Sequence, residues 1–266
     1  MNDNPIGVYD SGMGGLSVWR ELRRALPGES LLYFGDGKNC PYGSRPAEEI
    51  RALADEAVGA MTGWGCKMVV VACNTATTAA ISFLRAKYTD IPLIGLEPAI
   101  KPACLTTRSG VVGVLATERS LDGEMFRRTA GEYGEGIEIV TAAGRGFVEL
   151  VEQNREDTPE AEACVREAMR GMIERGADKV VLGCTHYPFL RDTIERVIGG
   201  RDIEVIDSSA AVARRAGELL DRYGLRAPAG HTPEYTFRTF ADDAYAEALR
   251  RKAFGENSKF KIQNSK

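Results

Sequence analysis

Two stretches of this chain share one pattern of apolar and polar positions. Val69-Val70-Val71-Ala72-Cys73-Asn74-Thr75 and Val180-Val181-Leu182-Gly183-Cys184-Thr185-His186 each run apolar and largely β-branched up to a cysteine, then turn small and polar. A continuous apolar run of this kind reads as a parallel strand buried on both faces, which delivers a side chain to a site at its carboxyl end. The echo extends further. Ile6-Gly7-Val8-Tyr9-Asp10-Ser11-Gly12 is answered by Val112-Gly113-Val114-Leu115-Ala116-Thr117-Glu118, and Ile94-Gly95-Leu96-Glu97 by Glu204-Val205-Ile206-Asp207. Three strand ends recur in the same order at a nearly constant offset of about 110 residues, the signature of a duplicated unit.

Helical periodicity fills the gaps between these strands. Leu16, Trp19, Leu22 and Leu26 share one face of a helix that Pro27-Gly28 terminates. Ser30 to Phe34 reads as a strand, and its exit through Cys40-Pro41-Tyr42-Gly43 is too rich in turn formers for core and suits a binding loop. Pro46, Glu48 and Glu49 open a helix with an Ile50, Leu53, Ala54, Ala57 and Met61 stripe. In the second half, Thr158-Pro159 starts a helix with Val165, Ala168, Met169 and Met172 inward; others are expected from about Pro188 and over Ser209 to Tyr223. Beyond Gly224 the pattern weakens to an edge strand within Tyr235 to Phe240 and a last amphipathic helix, Asp243 to Phe254, while the polar end from Asn257 to Lys266 is set aside. Strands alternating with helices give an α/β class: two doubly wound, mainly parallel sheets facing one another, with the site in the cleft between them.

Composition narrows the functional classes. The 266 residues are 44% hydrophobic and 27% charged, ordinary for a globular chain of one to two domains. A net charge of −4 speaks against the basic face that nucleic-acid binding requires. No apolar run is long enough to span a bilayer, and the N-terminus lacks a basic segment followed by an apolar one, so a cytoplasmic location is expected. Six cysteines occur without a C-x-x-C pair, and with only His186 and His231 no metal site is expected; the thiols should be free. Cys40, Cys66, Cys104 and Cys164 have no mirrored counterpart and read as structural, and His231 as structural or solvated. Gly12-Met13-Gly14-Gly15 lacks the spacing of a nucleotide loop.

The paired thiols carry the chemistry. Each is expected between a strand and the N-terminus of the next helix, where the local field favours thiolate. Facing a small acid from opposite sides, one as thiolate could remove a proton and the other as thiol return one, inverting a carbon. Backbone amides near Asn74-Thr75 and Thr185-His186 could hold a carboxylate. Asp10 could hold an ammonium and assist Cys73, His186 could assist Cys184, and Ser11, Tyr42 and Gly43 could bind a distal carboxylate.

With these residues in view, the chain closely resembles the glutamate racemases of the aspartate/glutamate racemase family. The resemblance rests on Gly7 to Leu16, Tyr33 to Asp36, Pro41 to Gly43, Ala72 to Ala76, Gly95 to Pro98, Gly113 to Thr117 and Gly183 to Pro188, spread over roughly residues 6 to 224. It implies interconversion of L- and D-glutamate for bacterial peptidoglycan, with Cys73 and Cys184 as the acid/base pair, assisted by Asp10 and His186. It further implies substrate contacts from Asp10, Ser11, Pro41, Tyr42, Gly43, Asn74, Thr75, Thr117, Thr185 and His186. No cofactor, pyridoxal phosphate or metal, and a homodimer, follow from the same resemblance. So does a division into one domain of residues 1–97 and 208–266 and another of 98–207. The chain departs from the family at Gly37-Lys38-Asn39-Cys40, where threonine and arginine are usual after the aspartate, and at Ser120, where threonine is common.

Three rivals stay open on the residues alone. A racemase for aspartate or another acid shares the two thiols. A cysteine hydrolase using Cys184 and His186 leaves Cys73 and the duplication without a role. A binding module would take up glutamate without exchanging its α-hydrogen.

Overall fold

The computed structural model describes residues 2–254, so the polar end beyond Asn257 lies outside the described residues. Two sheets, parallel throughout, form its frame. The first contains β1 (Ile6–Asp10), β2 (Leu31–Gly35), β3 (Met68–Val71), β4 (Leu93–Gly95) and β9 (Tyr235–Arg238), in the order β4-β3-β1-β2-β9. The second contains β5 (Val111–Ala116), β6 (Glu138–Ala143), β7 (Lys179–Gly183) and β8 (Glu204–Ile206), in the order β6-β5-β7-β8. Read from the other edge, β8-β7-β5-β6 repeats β4-β3-β1-β2, so the echo in the sequence is a repeat of topology. The edge strand expected near Tyr235 is β9, which has no counterpart in the second sheet.

Helices cover both faces of each sheet, which is why the central strands are apolar over most of their length, with Lys179 and Asp10 at strand ends. Val8 and Val70 face a core with α1 (Leu16–Ala25), α10 (Ser209–Arg222) and α11 (Asp243–Phe254). Tyr9, Val69 and Val71 face the opposite core, made with α2 (Ala47–Gly63) and α3 (Asn74–Lys87). In the second sheet, Leu115, Val180 and Leu182 pack with α7 (Phe147–Glu152), α8 (Pro159–Glu174) and α9 (Arg191–Ile198). Val114 and Val181 pack on the other side, with α4 (Ile100–Thr106) and with Phe126 and Tyr133 of α6 (Glu124–Tyr133). Because α4 joins the second core and α10 the first, we infer the domain division at 97/98 and 207/208 given above.

The order of strands fixes where a site can form. The helices leaving β1 and β3 lie on opposite faces, so their carboxyl ends splay apart and open a crevice; the same holds for β5 and β7. Asp10, Cys73, Thr117 and Cys184 are the residues at or just past these four strand ends.

Candidate active site

Cys73 and Cys184 line one cavity of about 340 Å³ between the two sheets, and both are almost fully buried. Their settings differ. Cys73 is the N-cap of α3, and its sulfur accepts the Ala76 amide (3.4 Å) and lies 3.6 Å from the Ser11 hydroxyl. The helix expected after Cys184 does not begin there. Tyr187 and Phe189 donate back to the Cys184 and His186 carbonyls, a pattern of tight turns that passes through a 3-10 segment, Tyr187–Leu190, before α9 starts at Arg191. Cys184 therefore lacks the helix N-terminus that Cys73 has, and its nearest polar partner is His186 Nδ1 at 3.9 Å.

The turn after β1 ties the two halves together. Asp10, fully buried, accepts the Gly12 amide (2.9 Å) and the Thr185 hydroxyl (3.0 Å). Ser17 donates to the Thr185 carbonyl (3.0 Å), and the Met13 amide to Glu152 Oε1 (2.6 Å). Glycine is required here by contact: a Cβ on Gly14 would stand 2.2 Å from His186 Nδ1. Asp10 stands behind the cavity wall. The wall itself carries Ser11, Pro41, Tyr42, Gly43, Asn74, Thr75, Thr117, Thr185 and His186. Thr75 and Thr117 reach each other across it (3.2 Å). Tyr42 is held by its hydroxyl, which donates to Asp36 (2.6 Å) and accepts from Tyr9 (2.9 Å). Among the described residues the buried Asn74 side-chain nitrogen has no hydrogen-bond partner, although such groups are nearly always paired.

Sequence reasoning missed Glu152. Its Oε1 lies 2.6 Å from His186 Nε2, and its Oε2 accepts the Tyr245 hydroxyl (2.7 Å). One signal was available: a carboxylate as the last residue of a short helix opposes the helix dipole and calls for a cation beside it. Arg145, paired with Glu118 (2.8 Å), and Glu149 also reach the cavity unforeseen, from the β6 exit and α7.

Charges follow from these contacts. Burial, reinforced by the nearby Asp10 carboxylate, pushes the Cys73 thiol up to about 12, so it holds its proton at neutral pH. Burial also raises Asp10, partly offset by His186 and the Gly12 amide. Burial alone would lower His186, but hydrogen bonds to Cys184, Cys40 and Glu152 outweigh it and hold the imidazole protonated well above its ordinary range. Glu152 is lowered despite burial, because His186 and the Met13 amide stabilise its charge.

Fold and site together define an α/β protein in which a repeated sheet presents two thiols to one cavity. The chain belongs to the Asp/Glu/Hydantoin racemase family, whose model matches residues 6–216. It is 45% identical over 221 residues to a glutamate racemase of Roseiflexus sp. (strain RS-1), covering 83% of this chain and 81% of that protein. It superposes on glutamate racemase isoform RacE1 of Bacillus anthracis with TM-score 0.84 at 32% identity, over 96% of this chain and 95% of the other. It also superposes on Escherichia coli glutamate racemase, solved with L-glutamate and the activator UDP-MurNAc-ala, with TM-score 0.81 at 32% identity, over 92% of each chain.

Proposed function

We propose that this chain is an isomerase that interconverts L- and D-glutamate by proton exchange at the α-carbon between two cysteines. The observation that carries the reading is the pair Cys73 and Cys184, offered to one cavity from equivalent strand ends of two sheets. One sulfur, as thiolate, takes the α-proton and leaves a carbanion whose electron pair spreads into the carboxylate. The opposite thiol gives its proton to the other face. One C–H bond breaks, one forms, and the scheme draws on no cofactor.

Other groups support a dicarboxylate. The first amides of α3 and the unpartnered Asn74 nitrogen are donors that suit a carboxylate, and Ser11, Thr75, Thr117 and Thr185 add hydroxyls. Pro41, Tyr42 and Gly43 line the same cavity. Asp10 assists transfer at Cys73, on which its charge acts, and His186, charged through Glu152, assists at Cys184. Glutamate is favoured over aspartate by the relatives named above. A role in supplying D-glutamate for peptidoglycan, a cytoplasmic location and a homodimer belong to the same reading. Among the described residues no helix is long and apolar enough to cross a membrane.

Incubation with L-glutamate in deuterium oxide, without added cofactor, tests it by optical rotation and the α-proton signal. Rotation should decay to zero as deuterium enters the α-carbon. Exchange of L-aspartate with glutamate inert would overturn the substrate, and absence of exchange with any acid in folded, reduced protein would overturn the reaction.

A further inference from the structure

Beside the catalytic pair stands a cluster that cysteine and histidine spacing could not reveal. Cys40, Glu152 and His186 come from the loop after β2, the end of α7 and the turn after β7, and each offers one donor atom within 4.8 Å of the others. Thiolate, carboxylate and imidazole are the donors of a zinc-type site. Around a tetrahedral zinc, donors at about 2.0–2.3 Å from the metal stand roughly 3.3–3.8 Å from one another, so Cys40 must close by about an ångström at most, while His186 Nε2 and Glu152 Oε1, 2.6 Å apart, must open by somewhat less.

Local structure favours that closure. Glu152 Oε1 and Cys40 Sγ lie against bare backbone at Gly12, where a Cβ would stand 2.1 Å from the oxygen and 2.9 Å from the sulfur. The Met13 amide and the Tyr245 hydroxyl already orient the carboxylate, as outer hydrogen bonds orient metal ligands. The cavity wall at His186 gives an entry path.

We propose that Cys40, Glu152 and His186 bind a thiophilic divalent cation of the zinc and cadmium class, and that its binding inhibits the reaction. The cation replaces the Cys40 thiol proton and the proton shared by His186 and Glu152, both of which leave to solvent, and it bonds to sulfur, oxygen and ring nitrogen. No electrons are transferred. His186 then serves the cation and is withdrawn from proton traffic at Cys184. The inhibitory consequence rests on the racemase reading; the binding does not.

The test uses the full chain, reduced with a phosphine, titrated with cadmium alone. Cadmium should produce the ultraviolet charge-transfer band of a cadmium thiolate and inhibit glutamate racemisation over the same concentration range. Cys40→Ser, which keeps a polar hydrogen-bonding side chain at that position, should racemise normally without metal. It should lose the tight band and need at least about a hundredfold more cadmium for inhibition; Cys40→Ala repeats the test should serine disturb the fold. Inhibition and band unchanged in both variants would place the metal on Cys73 or Cys184 and overturn the site, as would a wild type that neither binds nor is inhibited. A Cys40-dependent band in a chain without racemase activity would uphold the site and refute the proposed function instead.

Discussion

Replacing Glu152 with glutamine keeps the shape of the side chain and removes one charge. In the wild type, Glu152 Oε1 receives His186 Nε2 and the Met13 amide, both at 2.6 Å. The glutamine oxygen can keep the Met13 bond, but the pair with His186 becomes neutral. Hydrogen bonds to charged groups contribute about 1.5–3 kcal/mol, and neutral ones about 0.5–1.5, so the imidazolium loses about 1–2 kcal/mol. That corresponds to roughly a 5- to 30-fold slowing of any step in which His186 carries the proton. The sign with pH is fixed by direction. His186 is raised, so its protonated form and the stability it adds are present at low pH and lost as pH rises through the raised value. Glu152 is lowered, so its contribution is lost as pH falls through that lower value. Glu152→Gln should therefore shift the alkaline fall of kcat to lower pH, while near-ultraviolet circular dichroism reports an unchanged fold. Racemisation followed by polarimetry from both enantiomers across pH is the assay. An unmoved alkaline limb with kcat intact would refute the role of the Glu152 charge.

Cys73→Ala and Cys184→Ala should each cost roughly 10²- to 10⁴-fold in racemisation or more without loss of fold, and near-wild-type turnover in either would end the two-base scheme. Asn74→Ala should lower kcat/KM for glutamate by roughly 5- to 30-fold, about 1–2 kcal/mol, with no drop in melting temperature because the side-chain nitrogen has no partner to lose. Unchanged kcat/KM would remove Asn74 from substrate contact. Lys67 pairs with Glu29 at 2.6 Å, with both side chains buried, so Lys67→Met should cost about 3–5 kcal/mol in urea unfolding. The double variant with Glu29→Leu should recover much of that; a single variant no worse than the double would contradict a stranded charge.

What the sequence disclosed follows from burial. Strands covered on both faces are largely apolar runs, so β3, β5 and β7, with Cys73, Thr117 and Cys184 at their exits, were legible, and α11 keeps its expected bounds. Short elements were not. The helix α7 is only six residues long, and α4 carries Pro102 in its first turn, where a missing amide is harmless. Missing α7 meant missing Glu152, which meets His186 only through the meeting of distant loops. Asp10 was placed correctly at a strand end, yet tertiary packing turned its carboxylate toward Gly12 and Thr185, behind the wall.

The duplication explains why two thiols face each other; it does not make them alike. The proposed reaction, which runs between mirror-image substrates, calls for a base on each face of one carbon, and a repeated sheet with switch points at β1/β3 and β5/β7 offers two such positions. The repeats then diverge where protons are managed. Cys73 keeps the helix N-terminus of α3, but burial, reinforced by the nearby Asp10 carboxylate, holds its proton on. Cys184 gives up the helix for a tight turn that folds His186 back toward its sulfur, and Glu152 keeps that ring charged. The Asp10 to Gly15 turn binds both arrangements through Thr185, Met13 and the bare backbone at Gly14. One hydrogen-bonded unit thus supports the surroundings of both thiols.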